Sequence, residues 1–211
     1  MIKVVVFDYD GTLVRSMGVH VKAWTHVAKL LDAKVDSKII RSSMGMSYEN
    51  IARIIFPKNP RLFLKIYMNY TSSENYSRKF KKIKGAINTV KIVNKNYKLA
   101  LASSNKRRNL LTWMKNTGFN DFFNYIVTAD DVKYGKPYPD TLLKIMKHFK
   151  ARPSEILYVG DADYDVIMCK RAKVKCVAVM TGKLTRKEAK RLKPFAIVNN
   201  VNSVPSILKK L

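Results

Sequence analysis

Hydrophobic residues follow two rhythms along this chain, and the change between them marks its organisation. Ile2–Phe7 (IKVVVF) is an apolar, β-branched run, the pattern of a central parallel strand buried on both faces. It ends abruptly at Asp8-Tyr9-Asp10-Gly11-Thr12, where polar and turn-forming residues take over. From about Val14 to Lys82 strand-like runs vanish. Val19–Leu31, Tyr48–Phe56 and Arg61–Phe80 carry apolar residues at helical spacing, punctuated by Gly45, Pro57 and Pro60.

After Gly85 the rhythm alternates. Ala86–Asn94, Asn109–Thr117, Pro137–Phe149 and Ala162–Ala172 read as helices, the third with Pro137 in its first turn and the second stopping at Gly118. Lys98–Ser103, Tyr125–Thr128, Ile156–Val159, Lys175–Val179 and Ala196–Val198 read as strands. Repeated βα units predict an α/β fold: a Rossmann-like open parallel sheet, residues 1–14 and 83–211, with an all-helical domain inserted at 15–82.

Composition narrows the picture. Hydrophobic residues make up 47% of the 211, enough for a substantial core, and no apolar stretch is long enough to span a membrane. The short apolar start runs straight into charged chemistry with no cleavage site, so a cytoplasmic protein without a membrane association is expected. Cys169 and Cys176 match no disulfide framework or zinc spacing. Forty-one Lys and Arg stand against 15 Asp and Glu, a net charge of +26. The excess is spread along the whole chain, so nucleic acid is expected to bind only through non-specific charge attraction.

In open α/β sheets ligands bind beyond the carboxyl ends of the strands. There the sequence puts Asp8 and Asp10 after the first strand and Ser103 and Ser104 after the second. Gly160, Asp161 and Asp165 follow ILYV, and Lys136 precedes a helix. Clustered carboxylates repel unless a cation joins them, and magnesium takes oxygen ligands of this kind. A lysine and a hydroxyl can hold phosphate oxygens beside it.

Asp8-Tyr9-Asp10-Gly11-Thr12 resembles the DxDGT signature of the haloacid dehalogenase-like hydrolase superfamily. Ser103, Lys136 in Gly-Lys-Pro, and Gly160-Asp161 with Asp165 resemble its remaining motifs, in order and over essentially the whole chain. The helical insertion resembles the cap of the phosphoglycolate phosphatase-like and β-phosphoglucomutase-like branch. The resemblance implies an aspartyl-phosphate mechanism with Mg2+ as cofactor and a small phosphorylated metabolite as substrate. Asp8 is the implied nucleophile and Asp10 the general acid and base. Lys136 is implied to neutralise charge, and Ser103 or Ser104, with Gly11 and Thr12, to receive the phosphoryl group. Asp8, the Asp10 carbonyl, Asp161 and Asp165 are the implied metal set, and Arg41 is a candidate for a second anionic group on the substrate.

A phosphosugar mutase built on the same nucleophile is the alternative. A nucleic-acid-binding protein with a vestigial site is another, motivated by charge. Asp10 argues against a dehalogenase, and no cap lysine is marked out for a phosphonatase. His20, Trp24 and His26 are expected to pack or face solvent, as are Tyr67, Tyr70 and Tyr76 beside Lys65, Arg78 and Lys79. Asp163 is expected to serve a helix N-terminus. Monomer and homodimer are both compatible with this architecture.

Overall fold

A computed structural model describes all residues, 1–211. Its strands are β1 (Val4–Phe7), β2 (Val14–Arg15), β3 (Lys81–Lys82), β4 (Lys98–Ala102), β5 (Tyr125–Val127), β6 (Ile156–Gly160), β7 (Lys175–Val179) and β8 (Ala196–Val198). Its helices are α1 (Met17–Leu30), α2 (Ser37–Ser43), α3 (Tyr48–Ile55), α4 (Pro60–Thr71), α5 (Glu74–Ser77), α6 (Ala86–Asn94), α7 (Arg107–Thr117), α8 (Asp140–Phe149), α9 (Asp163–Arg171), α10 (Arg186–Leu192) and α11 (Val204–Leu208).

Six strands form one parallel sheet in the order β5-β4-β1-β6-β7-β8. From β1 the chain winds outward through β4 and β5, then returns to the other side of β1 for β6, β7 and β8. The order therefore reverses at β1, and the crevice beyond its carboxyl end lies between β4 and β6. β1 is fully buried, as a central strand covered on both faces must be. Alternate side chains serve two cores. Val5, Phe7, Leu99, Leu101 and Val159 face α6, α7 and α11, whereas Val4, Val6, Ala100 and Tyr158 face α8, α9 and α10.

The first of these cores continues into helices α1–α5. Trp24 stacks on Tyr67 with ring centroids 3.8 Å apart, and Tyr48 meets both edge-on. Trp113 of α7 in turn packs against His20, Tyr76 and Phe80. Burying aromatics of this size across the junction stabilises it.

Three sequence expectations change. The helix expected over 61–80 is two, because Ser72 and Ser73 end α4 and α5 starts afresh at Glu74. Asn59, whose side chain accepts from Leu62 N, and Pro60 at the first position start α4 instead of Arg61. The helix expected from Pro137 begins at Asp140, since Gly135–Tyr138 closes a turn through Tyr138 N–H to Gly135 O. Strands do occur between residues 14 and 82. β2 and β3 pair antiparallel where the chain enters and leaves the helical layer, a ribbon too short to show a period. Helices α2, α10 and α11, of five to seven residues each, have no counterpart in the sequence reading. No helix is long and apolar enough to cross a membrane.

Glu155 ties the start of β1 to β6. Its carboxylate meets Lys3 Nζ at 2.7 Å and accepts from Arg152 N–H at 2.8 Å. These contacts, Lys3 first, hold its pKa at about 2 against the ordinary 4.5. A depressed carboxyl pKa stabilises the fold above the unfolded value and loses that contribution as pH falls through the folded one. Urea unfolding should therefore show E155Q less stable than the parent at pH 6, with the gap closing as pH drops from 4.5 towards 2.

Candidate active site

The tight turn after β1 aims its side chains into the crevice. Leu13 N–H returns to Tyr9 O, and Gly11 takes φ +76°, a left-handed conformation that favours glycine. Glycine is also required for space: a Cβ here would lie 2.2 Å from Asp161 Oδ2. From the other side, a Cβ on Gly182 would lie 1.6 Å from the same oxygen. Asp161 is thus clasped by two backbone segments, with Thr12 Oγ1 donating to Oδ1 at 3.1 Å and Lys183 N–H donating to Oδ2 at 3.1 Å.

Asp8, Asp161 and Asp165 are buried, with one carboxylate oxygen of each within 4.8 Å of the others. Lys136 Nζ lies 2.7 Å from Asp8 Oδ1 and 2.8 Å from Asp165 Oδ1. Burial lowers a lysine's pKa, but these carboxylates outweigh it and hold Lys136 charged. Burial, then the Asp165 charge, pushes Asp161 up to about 7, and burial raises Asp8 despite Lys136. Such a set suits a hard divalent cation, which would relieve repulsion that one lysine leaves in place. Asp165 is already engaged on both oxygens. Tyr158 and Lys136 reach Oδ1, and the N–H groups of Asp161 and Ala162 reach Oδ2 at 3.1 Å. Asp8 accepts from Lys136 at one oxygen, and each Asp161 oxygen accepts a single hydrogen bond, so both carboxylates keep lone pairs for a cation, while Asp165, with two partners on each oxygen, is built to hold its neighbours.

Asp10 stands apart from this cluster. Its Oδ1 accepts from Ser16 Oγ and pairs with His20 Nε2 at 3.0 Å, and its Oδ2 accepts from Asn105 Nδ2. Burial alone would raise this carboxyl, but His20, Ser16 and Asn105 outweigh it and hold it below the usual range. His20 is itself fixed by Tyr76, whose hydroxyl lies 2.7 Å from Nδ1. Asn105 also takes the Tyr48 hydroxyl and donates to Ser103 Oγ at 2.8 Å.

Asp8, Asp10, Gly11, Ser104, Lys136, Asp161 and Asp165 all line one chamber of about 90 Å³. A wider polar cleft of about 610 Å³, lined by Ser103, Ser104, Lys106 and Lys136, adjoins it. Two sequence candidates lie elsewhere. Arg41 sits on the exposed outer side of α2, whose Ile40 and Ser43 turn inward, and does not line the chamber. Thr12 is fully buried with its hydroxyl spent on Asp161, so it supports that carboxylate instead of meeting a ligand. Ser103 Oγ is turned towards Asn105, and Ser104 faces the chamber.

His20, Ser16, Asn105 and Lys183 escaped the sequence reading. Ser16 and His20 lie six and ten residues beyond Asp10, and only the turn of the chain into α1 brings them back to it. Tyr67 and Tyr76 are buried, not displayed beside the basic residues.

A family model for haloacid dehalogenase-like hydrolases matches residues 5–179. The chain is 24% identical over 212 residues to pyrophosphatase PpaX of Bacillus mycoides, covering 100% of this chain and 98% of that protein. Two solved structures share the fold. A hydrolase from Pseudomonas syringae superposes with a TM-score of 0.86 at 24% identity, covering 99% of each chain. A predicted phosphoglycolate phosphatase from Haemophilus somnus gives 0.85 at 17%, covering 98% of each.

Because the Gly182 Cβ would displace a carboxylate clasped from both sides, G182A should lower divalent-cation affinity, read by calorimetry, by roughly ten- to a hundredfold, the range seen for supporting contacts at metal sites.

Proposed function

The chain belongs to the haloacid dehalogenase-like hydrolase family, and from that premise we propose that it is a magnesium-dependent phosphatase of small phosphomonoesters working through an aspartyl phosphate. The observation that carries the reading is the division of labour between two carboxylates of one turn. Asp8 is gripped by Lys136 at one oxygen, leaving the other to attack. Asp10 is held by three side chains and kept away from the carboxylate cluster.

In this reading an Asp8 oxygen bonds to phosphorus as the bond to the leaving oxygen breaks. Asp10, a carboxylate in the free site, takes up the proton that the substrate phosphate brings and passes it to that oxygen, then accepts one from the water that attacks the acyl phosphate and returns it to the departing phosphate. Inorganic phosphate departs and the Asp8 carboxylate is restored. Lys136 offsets charge between Asp8 and the phosphoryl oxygens, and Ser104 is the hydroxyl that faces them. Mg2+, held by Asp8, the Asp10 carbonyl and Asp161, supplies positive charge to the phosphoryl group when bound. Residues 15–82 act as a cap over the core of 1–14 and 83–211, excluding bulk water from the chamber.

Compact substrates suit the small chamber, and hydrolysis is put ahead of the mutase reaction on the activity named for the Bacillus relative. Phosphoglycolate is one fit. Pyrophosphate is a second, favoured by the same small volume and by the activity named for the Bacillus relative.

With Mg2+ present, phosphate release from phosphoglycolate and pyrophosphate should be readily measurable, should vanish with a chelator and should fall by at least about 10⁴-fold in D8N. No Mg2+-dependent turnover of any small phosphate by folded protein would overturn the reading. H20A removes a partner of the proton-transfer group and should lower kcat about ten- to a hundredfold with KM changed less.

A further inference from the structure

Lys136 and Lys183 are the only Lys or Arg side chains lining the chamber. Lys136 is committed to Asp8 and Asp165. Helices α1–α5 contribute aromatic and aliphatic groups to the lining, among them Trp24, Tyr48 and Tyr67, and no cation of the Lys or Arg type. Any second anionic group on a substrate therefore meets one available charge.

That charge is poorly satisfied where it stands. Lys183 Nζ donates to two neutral carbonyls, Ser42 O at 3.2 Å and Met44 O at 3.1 Å, at the carboxyl end of α2. Its nearest counter-charge, Asp163 Oδ1, is 4.0 Å away, beyond hydrogen-bond reach. Asp163 Oδ1 is itself buried without a hydrogen-bond partner. Lys183 Nζ also lies over the Tyr164 ring, 4.8 Å from its centroid. Lys183 thus stands on the α2 carbonyls with the unpartnered Asp163 oxygen a short swing away.

We propose that Lys183 is the specificity-determining cation of this site, selecting compact phosphates that carry a second anionic group, whether carboxylate or phosphate. The inference rests on the phosphatase reading and extends it to the substrate class. The α2 carbonyls hold the ammonium at the chamber wall while the helical layer is seated, so an anionic leaving group gives Lys183 the full counter-charge that two neutral carbonyls do not. When the layer lifts, Asp163 Oδ1 receives the ammonium and the chamber loses its second cation. A neutral leaving group of equal size gains nothing from either pose.

The test compares phosphoglycolate with ethylene glycol monophosphate, which replaces the carboxylate by a hydroxymethyl group at nearly constant size. The parent should favour phosphoglycolate in kcat/KM. K183M, which keeps an unbranched side chain without the charge, should reduce that preference about tenfold or more, and K183R should restore most of it. The same pair is titrated calorimetrically into D8N and D8N/K183M with Mg2+, so the ratio of affinities is read without turnover. A preference unchanged by K183M in both experiments overturns the assignment while leaving the phosphatase reading intact. Absence of turnover by the parent with a Lys183-dependent affinity ratio overturns the phosphatase reading alone.

Discussion

Negative charge gathered in a buried crevice is the constraint on which the rest depends. Three carboxylates within 4.8 Å of one another, all shielded from water, repel at an energy that ordinary packing cannot absorb. Every neighbouring choice eases that repulsion or holds the groups against it. Lys136 bridges two of them, backbone N–H groups take the oxygens of Asp165, and loops pass close enough to Asp161 that two positions admit only glycine. The sheet order makes this possible, because its reversal at β1 opens a crevice where four strand ends can contribute at once.

Asp10 obeys a different logic. Its three partners come from the start of the helical layer and from the loop after β4, so its position depends on the two parts of the molecule being seated together. Tyr48 reaches Asn105, and Tyr76 reaches His20, extending that dependence into helices far from the crevice in sequence. Chemistry at Asp8 belongs to the sheet, whereas proton transfer at Asp10 belongs to the junction.

Much of this was legible in the sequence. The parallel strands announced themselves because strands buried on both faces read as apolar runs, and the carboxylates were found because they follow such runs directly. Lys136 is legible through Gly-Lys-Pro, although the helix expected to follow it directly starts only at Asp140. What stayed hidden depends on direction. Arg41 fell on the outer side of a two-turn helix whose orientation no short pattern reveals. His20 looked like one more residue on an amphipathic helix, and Asn105 was overshadowed by the serines before it. Thr12 carried the right residue type but spends its hydroxyl on Asp161. Short elements such as β2, β3 and α10 lack the length to display a period at all.

The β2–β3 ribbon, four residues in all, has a consequence for how such a molecule can change over evolutionary time. It fastens the two ends of a long excursion side by side, so the helices between them leave and rejoin the sheet at one place. Closure entropy grows only slowly with length, and a different insert could be exchanged at the same fastening at small cost to the sheet. The limit on such exchange is Trp113. Any replacement must bring its own aromatic surface to cover that indole, and must offer new partners to Asp10.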